Sequence, residues 1–334
     1  MNGLMSKNAI LLRVENLTMH YTTRAGEVSA VDNVTFALRR GEAMGLVGES
    51  GCGKTSMATT LLKLLPENAI IKQGHIFLDD LDLVNLSEDE MRSVRWNKVS
   101  MVFQAAMNSL NPVYRVGDQI IEALEYHNQV RTNQEARHRV EELFQLVGID
   151  EKMINRYPHE YSGGMRQRAV IAMALACHPD LIIADEPTTA LDVIVQDNLL
   201  REMTALQKKL GMSMIYISHD IAVIAEVSDR IGVMYAGRLV ELGTAEQIIK
   251  RPQHPYTFGL MSAFPSIIGP KRALTTLPGE PPDLLNPPSG CRFHPRCPYA
   301  TEQCTREVPE FRDLGGGHFV ACDHPMEEVS IESV

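Results

Sequence analysis

With 334 residues, the chain is long enough to bury a sizeable core and to carry one large domain with a smaller appendage. Hydrophobic residues make up 44% and charged residues 22%, the balance of an ordered globular protein, which excludes disorder as the default. A formal charge of -10 without any dense Lys/Arg stripe excludes a protein whose main task is gripping phosphate backbones, so nucleic acid is not an expected partner.

Met1 to Ile10 lacks the charged and then apolar pattern of a secretory signal. The longest apolar runs, such as Ala169 to Cys177, fall far short of the roughly 20 residues that a membrane-spanning helix needs. The expected location is therefore the cytoplasm, with any membrane link made through partners. Ala43 to Val47 reads as a buried strand, followed by a glycine-rich turn and a helix over Lys54 to Leu65. Later strands are predicted at Ser100 to Phe103, Leu181 to Asp185 and Ser213 to Ile217. Short apolar runs alternating with longer amphipathic stretches predict an α/β fold with a mostly parallel sheet flanked by helices.

Between Phe103 and Leu181 the pattern is mainly helical, clearest at Gln119 to Tyr126 and Gln134 to Val147, and predicts an inserted helical subdomain at about 105–178. Beyond Arg251, prolines at 252, 255, 265, 270, 278, 281, 282, 287 and 288 break any long periodic element and predict an extended linker. The expected division is a nucleotide-binding domain over 1–250 and, over 251–334, the linker with a cysteine-rich extension.

Gly48-Glu-Ser-Gly-Cys-Gly-Lys-Thr55 fits the P-loop pattern G-x-x-x-x-G-K-[ST], placed between a predicted strand and a predicted helix. Glycines let backbone N–H groups turn inward around phosphate oxygens, and a helix N-terminus adds positive potential. Gly48, Ser50, Gly51, Gly53, Lys54, Thr55 and Ser56 are the expected nucleotide-binding residues, with Lys54 neutralising the terminal phosphates and Thr55 offering a hydroxyl to Mg²⁺. Leu181-Ile-Ile-Ala-Asp-Glu186 supplies the acidic end of a buried strand, where open α/β sheets gather ligands. Asp185 is expected in the Mg²⁺ shell and Glu186 beside it as the general base for an attacking water. Taken alone, the pair reads equally well as a solvated acidic turn.

Tyr161-Ser-Gly-Gly-Met-Arg-Gln-Arg168 opens a second predicted helix, so Ser162, Gly163 and Gly164 form a second anion-binding end in one chain. Ser-Gly-Gly followed by Gln-Arg resembles the signature of the ATP-binding cassette (ABC) proteins, a P-loop NTPase fold. In that family the signature of one subunit faces the P-loop of another across two sandwiched ATP molecules. Further marks follow in family order: Tyr21, Gln104, Ala190-Leu191-Asp192 and His219. The resemblance implies that Tyr21 stacks on adenine, Gln104 touches Mg²⁺ or the water, His219 contacts the γ-phosphate and Asp192 lies at the subunit interface. Singly, each of these residues reads as an ordinary core or surface side chain.

Met165 stands where the general signature has Gln, and Tyr161 where it has Leu; the run Ser-Gly-Gly-Met-Arg-Gln-Arg is similar to the oligopeptide and dipeptide branch. Gln104 to Pro112, Arg251-Pro-Gln-His-Pro-Tyr-Thr257 and Leu277-Pro-Gly-Glu-Pro-Pro282 point to the same branch, so the resemblance covers nearly the whole chain. It implies an importer ATPase at the cytoplasmic face of the membrane, serving peptides or, in similar members, nickel or oligosaccharides. Implied partners are two membrane permease subunits, a second and different cassette subunit, and an extracytoplasmic substrate-binding protein. Asn108 to Val116 is the candidate contact for a short cytoplasmic helix of the permease. A cassette working on DNA or ribosomes is the rival class, and the sequence lacks both its inserted coiled coil and its tandem cassettes.

Four of the six cysteines crowd the end, in the spacing Cys291-x5-Cys297-x6-Cys304-x17-Cys322. Paired C-x-x-C arms are missing, so a standard zinc ribbon is not the first reading. Four thiolates suit a [4Fe–4S] cluster or a tetrahedral Zn²⁺, and unmetallated thiols are the third possibility. Resemblance to the oligopeptide branch favours iron–sulfur. His294, His318 and His324 sit among the cysteines as alternative ligands. Being far in sequence from the ATP residues, the extension is expected to hold the tail or its subunit contacts, apart from hydrolysis.

Overall fold

A computed structural model describes residues 9–104, 109–188, 193–262 and 277–326. The chain begins with β1 (Ile10–Thr23), β2 (Gly26–Arg39) and β3 (Ala43–Val47), followed by α1 (Lys54–Leu61), β4 (Ala69–Leu78), β5 (Leu81–Asp82) and α2 (Glu88–Val94). β6 (Val99–Val102) leads through α3 (Val116–Tyr126), α4 (Asn133–Leu146) and α5 (Gly163–Leu175) to β7 (Leu181–Asp185). Then come α6 (Val193–Leu210), β8 (Ser213–Ile217), α7 (Ile221–Val227), β9 (Arg230–Tyr235), β10 (Arg238–Thr244), α8 (Ala245–Lys250) and α9 (Pro255–Ser262). The last described segment holds α10 (Glu302–Arg306), β11 (Phe311–Asp313) and β12 (Phe319–Ala321). Among the described residues, no helix is long and apolar enough to cross a membrane.

Two compact units emerge. Arg39–Glu42 and Asn85–Tyr216 make one, and Ile10–Leu38, Ala43–Val84 and the residues from Ile217 onward make the other. In the first, β6 and β7 pair in parallel with Val102 opposite Ala184, and β8 neighbours β7. Every residue of β7 and β8 is buried, which is why both read in sequence as short continuous apolar runs. Two of the helices between β6 and β7 show the expected amphipathic logic: Val116, Ile120, Ile121 and Leu124 of α3 are buried, as are Ala136, Val140, Leu143 and Phe144 of α4.

The other unit holds an antiparallel sheet in the order β2-β1-β4-β5, and a mixed group in which β3 and β9 are parallel while β10 and β12 add antiparallel. The antiparallel sheet is absent from the sequence expectation. A bulge in β1 between Glu15 and Thr18 explains this, because it shifts the register on β4 and breaks the two-residue alternation that marks a strand. α1 stops at Leu61 rather than Leu65, since Lys63 adopts φ 50, the left-handed conformation that ends helices. Within the expected linker α9 forms after all, with Pro255 at its first position, where a missing N–H costs nothing.

Residues beyond 250 also return to this unit. β12 pairs with β10 at Glu241↔Val320, and the wholly buried Glu241 carboxylate accepts from Gln253 N (2.7 Å), His254 N (2.9 Å) and His318 Nε2 (2.7 Å). A buried carboxylate is tolerable only when its oxygens are satisfied in this way.

Candidate active site

The P-loop runs from the end of β3 into α1, and its glycines are dictated by space. A Cβ on Gly48 would lie 2.2 Å from Met234 O, and one on Gly53 would lie 2.2 Å from Ala30 O; Gly53 also has φ 105. Gly53 is the N-cap of α1 and supplies no side-chain acceptor, so the helix start presents bare amides. Buried Lys54 donates through Nζ to Gly48 O (2.7 Å) and Glu49 O (3.0 Å), which curls the loop over the ammonium group. Ser50, Gly51 and Thr55 are exposed. Tyr21, near the end of β1, meets Ser56 of α1, hydroxyl to hydroxyl at 3.1 Å, so these two predicted residues come together. His219 is exposed, beyond β8 and just before Asp220, whose carboxylate caps α7 by accepting from Ala222 N and Val223 N.

The first unit carries the acidic and signature residues. Asp185 closes β7 and is 1% exposed, and Glu186 follows in the left-handed region with φ 46. Because β6 and β7 are parallel neighbours, the residues that follow them emerge at the same end. Gln104 there donates from Nε2 to Glu186 Oε2 at 2.7 Å. Ser162 caps α5, its Oγ accepting from Met165 N at 3.3 Å, and Gly163 and Gly164 open the helix. Asp192, Ala190 and Leu191 lie outside the described residues, as does Asn108.

Sequence reasoning took Gln167 only as part of the signature run and gave it no role of its own. It is 3% exposed and donates from Nε2 to Pro187 O, tying α5 to the turn that bears Glu186. Its signal was a polar residue on the stripe of Val170, Ile171 and Ala174, all buried.

The cysteine-rich extension departs from expectation in two respects. Cys291, Cys297, Cys304 and Cys322 are free and partly buried, but among the described residues no group of three or more His, Cys, Asp or Glu side chains is arranged to hold a metal ion. Cys291 N donates to Cys304 O at 2.9 Å, so the backbones of these two cysteines meet. Burial first, and then the other three thiols, push the Cys322 thiol up to about 12; burial and the thiols at 297 and 304 raise Cys291 as well. Such thiols stay protonated until a ligand draws off the proton.

Secondly, the extension is not remote from the P-loop. Arg296 grips the Glu49 carboxylate with both terminal nitrogens, Nη1 to Oε2 at 2.7 Å and Nη2 to Oε1 at 2.9 Å, while its Nε donates to Pro278 O at 2.7 Å. Glu49 N donates to the hydroxyl of buried Tyr256 at 2.8 Å. Tyr256 packs with Tyr235 and Phe293 at ring-centroid separations of 4.5 and 5.4 Å. Nearby, Arg292 holds Asp32 at 2.6 Å and donates to Ala236 O.

A P-loop, an acidic strand end and a serine-capped glycine pair at a second helix start define an ATP-binding cassette. Residues 31–189 match the ABC transporter family, and residues 240–304 match the C-terminal region of oligopeptide/dipeptide transporters. The chain is 47% identical to the oligopeptide transport ATP-binding protein OppD of Bacillus subtilis (strain 168), with 93% of this chain and 87% of that protein covered. Against the dipeptide transport ATP-binding protein DppD of Lactococcus lactis subsp. cremoris (strain MG1363), identity is 45% over 92% of this chain and 89% of that protein. A dimeric ATP-binding cassette, solved in a post-hydrolysis state with ADP and Pi, superposes with a TM-score of 0.63 at 27% identity, covering 70% of this chain and 98% of that one. The chain belongs to the ABC transporter ATP-binding proteins, in the oligopeptide/dipeptide transporter family.

Proposed function

We propose that this protein hydrolyses ATP to energise import of oligopeptides or dipeptides, as one of two cassette subunits on the cytoplasmic face of a membrane permease pair. The observation that carries the reading is the P-loop, with Lys54 held over the loop and bare amides at the start of α1, in a chain alike along its length to peptide-transport ATPases. In this reading Tyr21 supports adenine, Lys54 with Gly48, Ser50, Gly51, Gly53, Thr55 and Ser56 holds the phosphates, and His219 meets the γ-phosphate. Glu186, oriented by Gln104, takes the proton of the attacking water. Thr55, Gln104 and Asp185 offer only oxygen donors, the set that suits Mg²⁺, whose charge would screen the phosphates.

Ser162, Gly163 and Gly164 are assigned to the partner subunit's ATP, and Asp192 to the interface. A different cassette chain is the proposed partner, and an extracytoplasmic binding protein delivers the cargo. Residues at about 105–178 act as the helical subdomain that meets the permease. Support comes from a groove of about 730 Å³ lined by Trp96, Ser109, Asn111, Tyr114, Tyr126 and His127, where Tyr114 and Tyr126 are 58% and 64% exposed. A short amphipathic helix suits such a groove.

The four extension cysteines are retained as a metal-binding set on donor chemistry alone, iron–sulfur before zinc. Anaerobically purified protein should carry iron and sulfide in near-equal amounts; four freely titratable thiols would refute this. For the transport function, the test is reconstitution with the permease pair in liposomes. ATP-dependent peptide uptake is expected, and its loss in Lys54→Ala; uptake indifferent to ATP would overturn the proposal.

A further inference from the structure

We infer that Arg296 is a positioning residue for ATP binding, which cancels and turns aside a carboxylate built into the phosphate loop. The inference rests on the reading of Gly48 to Thr55 as the nucleotide site. Glu49 follows the first glycine of that loop, among amides and a lysine assembled for anions, so its charge opposes the ligand. Its carboxylate is partly buried, at 24% exposed, and receives a bidentate fork from Arg296, itself 5% exposed.

The rest of the arrangement holds that fork in place. Arg296 is anchored by Pro278 O and Tyr235 Oη, the latter at 3.3 Å, with its guanidinium 5.7 Å from the Tyr235 ring centre. Tyr256 takes up Glu49 N, so the main chain and side chain of Glu49 are both fixed by residues outside the loop. Arg296 lies on the short turn His294–Arg296, between Cys291 and Cys297. Any change that moves this turn alters the charge facing the phosphates.

The test is equilibrium dialysis of the full chain with AMP-PNP and Mg²⁺, for Arg296→Met, Glu49→Gln and the double variant. Arg296→Met strands a carboxylate in an anion site and should weaken binding about ten-fold, since unpairing one member of a charge pair is costly. Glu49→Gln removes the opposing charge and should bind no more weakly than wild type. The double variant should recover the affinity lost in Arg296→Met. A purely structural role for the ion pair would weaken binding in Glu49→Gln as well as in Arg296→Met. Unchanged binding in Arg296→Met, failure of the rescue, or weakened binding in Glu49→Gln would each overturn the inference. If Arg296→Met does not fold, the Glu49→Gln result decides. Lys54→Ala keeps the two readings apart: wild-type binding there would sink the nucleotide site itself, whereas its loss beside a failed rescue would sink the role of Arg296 alone.

Discussion

Glu186→Gln isolates the chemistry of a single group. Gln104 Nε2 donates to Glu186 Oε2 at 2.7 Å, and the amide oxygen that replaces the carboxylate oxygen can accept the same bond. The left-handed backbone at 186 is tolerated equally by both residues, so the geometry around Asp185 and Pro187 is preserved. What disappears is one negative charge and the ability to take a proton. A positioned general base contributes about 10² to 10⁴-fold, or about 3–5 kcal/mol of barrier. Removing a negative charge near bound phosphates should leave ATP affinity unchanged or slightly tighter. The assay is phosphate release under saturating ATP, beside gel filtration for an ATP-dependent dimer. Turnover should fall at least about a hundred-fold while dimer accumulates. Hydrolysis within a factor of about three of wild type would show that proton transfer to Glu186 is not part of the rate-limiting chemistry.

Tyr21→Ala should weaken ATP binding about ten-fold or more by removing a stacking face, whereas Tyr21→Phe loses only the hydroxyl contact with Ser56, about five-fold at most. Equal affinities in both variants, by calorimetry, would place Tyr21 away from the base. Ser162→Ala removes the α5 cap and should cost about 1 kcal/mol in urea unfolding, while Ser162→Asp keeps the cap yet sets a charge against the partner's phosphate. Normal ATP-driven pairing in Ser162→Asp would refute the signature assignment. Burial pushes His254 down to about 3, so the native state leaves it neutral while the unfolded chain protonates it below about 6.5. Its contribution is complete above that pH and is lost as the pH falls toward 3, at about 1.4 kcal/mol per pH unit. His254→Asn, which keeps an acceptor for Tyr256 N, should flatten that slope in urea melts at pH 7.5 and 5; an unchanged slope would refute it.

What sequence made legible follows from how local each signal is. The P-loop, the strand ends at Asp185 and Ile217, and the serine-glycine helix start are written in contiguous residues, and β3, β7 and β8 appear with the predicted bounds. Tyr21 and Ser56, or Gln104 and Glu186, were named separately, yet only the fold shows that each pair touches. The antiparallel sheet was hidden by the β1 bulge and by strands that span both exposed and buried surface. The role of Gln167 was hidden because its acceptor, Pro187 O, is a main-chain atom twenty positions away. Glu49 was passed over as a variable position of the P-loop, since its partner lies 247 residues along the chain.

That last pair bears on why the extension accompanies this cassette. Glu49 lies in the segment matched by the ABC transporter family and Arg296 in the segment matched by the C-terminal region of oligopeptide/dipeptide transporters. A carboxylate after the first glycine works against an anion site, so it is tolerable only where a cation is supplied from elsewhere. Here Arg296 supplies it, with Tyr256 and Tyr235 fixing the register. Cassettes without such an extension should therefore carry a neutral or basic residue at the position of Glu49, or place another buried cation against it. A comparison of cassette sequences with and without the extension tests this directly. Acidic residues equally frequent in both groups, with no compensating cation, would show that the phosphate loop tolerates the charge and that the Arg296 fork serves only to hold the tail.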